Sequence, residues 1–341
     1  MAIQSSWTVI SLSPAPIADT WIASIVSTSL EKSNMTAVTQ VILIGFQVSQ
    51  NLKKLLFLPL LVVYCFTLCA NLLIITLVST SKNLHTPMYF FIAQLSISDI
   101  LLTTDIVPTM LHIILYYSGG TITFIGCITQ LYFFFVSEAF ECFLLTVMSY
   151  DRYVAICNPL RYSSIMTSGY CVILATISWL LVLSIALCVI LSMLMLNFCG
   201  SNIIDHFFCD LVPILELSCS DTYSVQLEVS VLGGLLILIP VLIIIFSYAK
   251  IILTILRMSS STSRQKAFST CSSHLIVVSI FYWTLFGVYI VPTKGQSSTV
   301  SKILSLLYTV FTPLINPIIY SLKNNDIKKA LHEHVYKYLR Y

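Results

Sequence analysis

Long apolar runs, broken by charges, prolines and short polar clusters, dominate the chain from about residue 55 onward. Seven of them approach or exceed the roughly 20 residues that a helix needs to cross a bilayer. They are Leu55–Ser79, Pro87–Leu115, Gly126–Ile156, Gly169–Leu196, Gln226–Thr254, Ala267–Ile290 and Ser301–Ser321. The second and third are long and contain acids, so pattern alone defines their edges least sharply. After the seventh run the pattern changes. Ile327, Leu331, Val335 and Leu339 recur every four residues around Asn324–Tyr338, flanked by Lys323, Lys328, Lys329, Lys337 and Arg340. An apolar stripe with a basic border suits a helix lying on a membrane surface. The pattern predicts an all-α membrane protein, a seven-transmembrane helix bundle followed by a short amphipathic C-terminal helix.

Composition supports this reading. Of 341 residues, 57% are hydrophobic and 9% charged, with a mean hydropathy of +0.94. A soluble domain carries about 25% charged residues, so this chain lacks the charge to cover its surface in water. The net charge of +3 is too small to argue for nucleic acid, and no basic stripe interleaves with aromatics.

The distribution of basic residues sets the orientation. With the N-terminus outside, the inner segments hold Lys82, Arg152, Arg161, Lys250, Arg257, Arg264, Lys266 and the five tail residues, twelve in all. The outer segments hold five: Lys32, Lys53, Lys54, Lys294 and Lys302. The long loop between spans four and five carries Asp205, Asp210, Glu216 and Asp221 and no Lys or Arg. These counts predict an extracellular N-terminal segment (1–54), a membrane domain (55–321) and a cytoplasmic tail (322–341). The only N-glycosylation sequon, Asn34-Met35-Thr36, falls on the outer side. Met1–Leu30, with Pro14, Pro16, Asp19 and many serines, has neither the basic start nor the apolar core of a secretory signal. We expect residues 1–34 to be a disordered extension, with Met35 as an alternative start that would delete Asn34. Four cysteines lie on the oxidising side, Cys127, Cys199, Cys209 and Cys219, and allow three pairings. Cys157 and Cys271, at the reducing face, read as free thiols.

Several strings then converge on one family. They are Pro87–Phe91 (PMYFF), Leu95–Asp99 (LSISD), Met148–Cys157 (MSYDRYVAIC), His206–Asp210 (HFFCD), Lys266–Leu275 (KAFSTCSSHL) and Pro313–Asn324 (PLINPIIYSLKN). In this order, each in its expected region, they resemble the olfactory receptors, rhodopsin-like (class A) G-protein-coupled receptors. The resemblance runs from about Val41 to Lys329. Departures are Ala70 before Asn71 in place of Gly, Ser149 in place of Ala, and Trp283 in place of Gly. The last is a large volume change beside the expected pocket.

The resemblance implies pairing of Cys127 with Cys209 and of Cys199 with Cys219. It implies a ligand cavity between the outer halves of spans three, five, six and seven. Matching positions are Phe134, Phe135, Glu138 and Ala139; Leu232 and Gly233; Tyr282, Leu285, Phe286 and Tyr289; and Leu306 and Thr309. Such a lining would take a small, mostly apolar, volatile odorant, although aromatic stripes at helical spacing also serve simple packing. Span seven has no Lys for a retinal Schiff base, and Phe134 stands where monoamine receptors carry Asp.

Acids within the spans are costly, roughly 2.5–3.5 kcal/mol for a central charge. Asp99 and Glu141, with Asn71 and Asn316 as polar neighbours, resemble an internal sodium site. Protonated acids sharing hydrogen bonds are the competing reading. Glu138 lies nearly one turn outward of Glu141. It is either a partner for a polar odorant such as an amine or a structural acid bonded to a nearby Ser or Tyr. Asp105, near Pro108, receives no role.

At the inner face, Asp151-Arg152-Tyr153 suits a local ion pair whose release frees the guanidinium. Tyr248, and Tyr320 of the Asn316-Pro317-Ile318-Ile319-Tyr320 string, resemble its facing residues. Pro317 removes a backbone hydrogen bond and permits a kink. The resemblance implies a heterotrimeric G protein of the stimulatory olfactory type, raised cyclic AMP, and a multi-pass location in the plasma membrane of sensory cilia. A chemoreceptor role outside the nose is an alternative.

Enzyme chemistry finds no support. His85, His112, His206, His274, His332 and His334 form no HExxH pair, and no Walker loop or GxSxG elbow occurs. No cofactor is expected beyond the internal sodium ion. A transporter would often show repeated halves with interrupted helices, and none is apparent.

Overall fold

The computed structural model describes residues 38–116, 119–199, 201–290 and 298–339. The sequon and the expected disordered extension lie outside the described residues. Among the described residues, seven helices are long and apolar enough to cross a membrane. They are α1 (Gln50–Thr80), α2 (Pro87–Leu115), α3 (Phe124–Cys157), α4 (Ser168–Leu194), α5 (Tyr223–Arg257), α6 (Ser261–Ile290) and α7. The last is a run of three segments, Ser298–Leu306, Leu307–Phe311 and Thr312–Lys323. The helix α8 (Asn325–Leu339) follows, close to the amphipathic stretch expected from the sequence.

Helix ends follow local chemistry. The side chains of Ser49, Thr123 and Thr167 accept hydrogen bonds from the backbone N–H groups of Leu52, Gly126 and Tyr170 at 3.4, 3.1 and 3.3 Å. Each thereby satisfies one of the four amides that a helix start leaves open. Pro87 opens α2, where its missing N–H costs nothing. Within the spans, hydroxyls bond the preceding turn: Thr67 to Val63, Thr146 to Cys142 and Ser178 to Leu174, at 2.8–2.9 Å. Hydrocarbon offers no other partner.

Burial orders the helices. In the most apolar stretch of α3, 61% of residues are buried, against 11% in α5. Thus α3 is the central post and α5 lies largely at the edge. The exposed faces are apolar: Leu58, Val62 and Phe66 on α1, and Leu238, Leu242 and Phe246 on α5. Such faces need lipid as solvent.

The middle segment of α7, Leu307–Phe311, is a π-helical turn. It immediately precedes Thr312-Pro313, and Pro313 has no N–H to donate. The Thr312 hydroxyl bonds the Leu307 carbonyl at 3.4 Å, and the Asn71 amide of α1 bonds the Pro313 carbonyl at 3.2 Å.

One end of the bundle is capped. Strand β1 (Gln40–Leu43) pairs antiparallel with β2 (Gly120–Thr123) and parallel with β3 (Ile203–Ile204), in the order β2-β1-β3. Val41 and Leu43 are fully buried. Before β2 the chain turns at Gly119, φ 88°, where a Cβ would collide with the Leu43 carbonyl. The expected cysteine pairs lie at disulfide distance. Cys127 and Cys209 have Cα atoms 5.4 Å apart, and Cys199 and Cys219 are 5.7 Å apart. Beside the first pair, Gln130 accepts from the Cys209 amide at 2.8 Å and donates to the Asp105 carbonyl at 2.8 Å. The loop is thus pinned to α3 and α2 together.

The cap has a second anchor that sequence reading missed. Lys302, counted above with the outer charges, is 3% exposed. Its ammonium donates to the Gly45 carbonyl at 2.8 Å and to Asp205 at 2.6 Å. It joins the N-terminal segment, the long loop and α7. His206 stacks on Phe207 and meets the edge of Phe208, with ring centroids 4.7 Å away in both cases. Burial, reinforced by the charge of Lys302, lowers the His206 pKa to about 3.

Two outcomes follow from the cap. The disulfides close loops whose cysteines are 82 and 20 residues apart, so chain entropy assigns them about 4–5 and about 3 kcal/mol. Cys127→Ser should therefore lower the melting temperature in detergent more than Cys199→Ser does. The second concerns pH. Unfolded His206 takes up a proton near pH 6.5 and the buried ring does so only near 3, so its contribution is present above 6.5 and is lost as pH falls through that window. Melting curves between pH 7 and pH 4 should fall more steeply for the parent than for His206→Phe.

Candidate functional site

Beneath the cap lies a cavity of about 720 Å³. Its floor and one wall come from α3, through Phe135, Glu138, Ala139 and Cys142. Val182, Ile185, Ala186 and Val189 of α4 form a second wall. On the third side, α5 supplies Gln226, Val229, Leu232, Gly233 and Ile237. Leu211, Leu215 and Glu216, in and just after the short helix Leu211–Leu215, also border it, and Leu285 of α6 completes the lining. A Cβ built on Gly233 or Gly234 would meet nothing within 4 Å. The glycine pair leaves α5 without side chains at the point where the space opens.

The α3–α4 wall is held by aromatic and polar contacts. Phe140 stacks on Trp179 with centroids 3.7 Å apart, and the Trp179 indole donates to Gln94 of α2 at 3.1 Å. Higher up, the Tyr132 hydroxyl bonds the Leu183 carbonyl at 3.4 Å.

Of the twelve expected ligand residues, Phe135, Glu138, Ala139, Leu232, Gly233 and Leu285 share this cavity. The others lie elsewhere. Phe134 is buried between the rings of Phe208 and Tyr308, 5.3 and 5.8 Å away, and this packing closes the α7 side. Leu306 packs in the same core, and Thr309 is buried with its hydroxyl on the Ser305 carbonyl at 2.8 Å. Tyr282 and Phe286 line a shallower groove of about 350 Å³ between α5 and α6. The Tyr289 side chain lies outside the described residues. Trp283 corrects the expectation from its volume: it is 73% exposed, lines that outer groove beside Phe286, and borders no part of the main cavity. The cavity also takes a wall from α4, which sequence reading did not include. Apolar α4 positions carry no signal that separates a cavity face from a lipid face. The Gly233-Gly234 pair was the readable hint.

Below the cavity a polar cluster ties three helices. The Asn316 amide of α7 donates to both Asp99 oxygens at 3.2 and 3.4 Å and to Glu141 at 3.2 Å. The buried Asn71 side-chain oxygen has no partner. The two carboxylates offer the oxygen ligands that a hard cation takes, although Asn316 turns its NH2 toward both of them. Among the described residues no group of three His, Cys, Asp or Glu side chains is placed to hold a metal ion.

At the far end of α3, Arg152 pairs with Asp151 through its Nε and Nη2 atoms. The other Asp151 oxygen accepts from the Tyr162 hydroxyl at 2.8 Å. Burial and the neighbouring Asp151 charge raise the Tyr162 pKa. Tyr162 was not foreseen, because it lies in the connection to α4, eleven residues from its partner in sequence. Tyr248 bonds His274 Nδ1 at 2.7 Å, and the Tyr320 hydroxyl is buried without a partner. Tyr153, next to Arg152, packs against the main core.

Comparison with known sequences accounts for this combination. Residues 60–337 match the family model described as "Olfactory receptor". The chain is 48% identical over 298 residues to the human olfactory receptor 10A7, covering 87% of this chain and 94% of that one. It is 43% identical to rat olfactory receptor 1468 over 302 residues (89% and 96% of the two chains). Olfactory receptor 1G1 of Gorilla gorilla gorilla is 45% identical over 304 residues (89% and 97%). A seven-helix membrane bundle with a capped cavity at one end, matched over nearly nine-tenths of its length, belongs to the olfactory receptor family, a family of receptors and not of enzymes.

Proposed function

We propose that this receptor binds small, mostly apolar odorants in the α3–α4–α5 cavity and activates a stimulatory, olfactory-type heterotrimeric G protein, raising cyclic AMP. The carrying observation is the cavity itself. Its volume of about 720 Å³ lies within the range of small-molecule sites, and its walls are chiefly aliphatic. The mechanism is population shift: an odorant that fits one arrangement of the bundle better biases an existing equilibrium toward it. The post α3 runs from Glu138 in the cavity to Arg152 at the other end. A change in its packing against α5 therefore reaches the Asp151–Arg152–Tyr162 cluster, and an Arg152 freed from that cluster would meet the G protein. Tyr248 and Tyr320, on the helices beside it, would receive the guanidinium.

In this reading the capped end, with the N-terminus, faces outward, and the basic tail, with α8 against the lipid headgroups, faces the cytosol of a sensory cilium. The Asp99, Glu141, Asn316 and Asn71 cluster would hold a sodium ion, whose charge would offset that of the two acids and fix α2, α3 and α7 in one arrangement.

Two measurements test the reading. Arg152→Ala should abolish odorant-evoked cyclic AMP in transfected cells while the receptor still reaches the surface; normal signalling from this variant refutes the role of Arg152. Gly233→Leu places its Cβ in open space and its side chain toward the cavity volume. It should leave surface delivery intact, with stability unchanged or raised by up to about 1 kcal/mol from helix propensity, while responses to the bulkiest agonists fall at least about tenfold. Undiminished responses would move the ligand out of this cavity.

A further inference from the structure

Glu138 is the one acid of α3 that lines the cavity. Its Oε2 is buried and has no hydrogen-bond partner. The adjacent Ser137 hydroxyl does not serve it, since Ser137 Oγ is itself buried without a partner. The acid is therefore not explained as a structural group. A buried carboxyl without a partner is expensive, more so in a site walled by Val, Leu, Ile and Ala.

The rest of the lining points to the missing partner. A second acid, Glu216, borders the same cavity below the cap, and among the described residues no Lys, Arg or His lines it. One turn further along α3 lies Glu141, which shares the Asn316 amide with Asp99. An ionised Glu138 would make the field at the cavity floor negative, with no basic side chain among the described lining residues to offset it. A carboxylic acid entering there would meet repulsion at both acids. An alcohol would supply one neutral donor. A protonated amine supplies charge and up to three N–H donors, while its hydrocarbon body takes the aliphatic walls.

We propose that this receptor is selective for aliphatic amines, with Glu138 receiving the ammonium group and Glu216 favouring entry of the cation. The proposal rests on the reading of the cavity as the ligand site. It makes Glu138 the residue that decides ligand class, and the aliphatic walls those that decide size.

The test uses full-length receptor in lipid nanodiscs and three probes of one skeleton: hexylamine, hexan-1-ol and hexanoic acid. The concentration at which each raises the thermal transition reports its affinity, independently of any G protein. The parent should bind the amine about ten- to a hundredfold more tightly than the alcohol, as expected for a charge-assisted hydrogen bond, and the acid least. Glu138→Gln should erase that ranking, and Glu138→Asp should keep part of it. Equal affinity for amine and alcohol in the parent, or an amine preference that survives Glu138→Gln, overturns the amine inference and leaves the cavity reading in place. Saturable binding of none of the three overturns the inference and counts against the cavity reading as well.

Discussion

Hydrocarbon gives a polar side chain nothing to bond, and much of this fold can be read as the response to that constraint. Hydroxyls on the spans turn back to the preceding helical turn. The π turn of α7 is bridged by Thr312 and by Asn71 from another helix. Where acids are unavoidable, one amide serves two of them: Asn316 reaches Asp99 and Glu141 at once and so fastens α7 to α2 and α3. Each polar group that finds a partner on another helix becomes a fastening. Those left without one, such as Glu138 Oε2, are the places where the bundle is incomplete by itself.

Most of the architecture was legible because lipid makes periodicity and length unusually informative. The seven spans read from apolar runs correspond one for one to the seven helices found among the described residues, with ends shifted by a few residues. At Ser49 the cap lies ahead of Lys53 and Lys54, so α1 begins five residues before the apolar run does. The cap over the bundle was less legible. Nothing in the short string Gln40–Leu43 announces a strand that pairs with two distant segments. Lys302 read as one more surface charge, since a solvated lysine and a buried one have the same local pattern.

The cavity was legible in part for a related reason. The α3 and α5 positions that matched the family pattern do converge, because α3 is fixed at the centre and few rotations of α5 bury Tyr248. The α7 positions do not join them. The HFFCD string drives Phe208 against Phe134, which in turn meets Tyr308, and that aromatic plug fills the space which the pattern alone would have left open. A plug made by a loop over 70 residues away in sequence cannot be seen from the helix it blocks. The same plug directs the open volume toward α4, whose apolar residues look alike on every face.

The π turn in α7 has one more implication. Successive residues of an α-helix are set about 100° apart around the axis, and a π turn carries one residue more than an α turn does. The half of α7 bearing Lys302 and the half bearing Asn316 are therefore out of phase by about one residue position relative to an unbroken helix. Sliding that surplus residue along the chain, or ironing it out, would swing Asn316 away from Asp99 and Glu141 while leaving Lys302 seated under the cap. Torsion of the lower half is thus available to this helix without unseating its top.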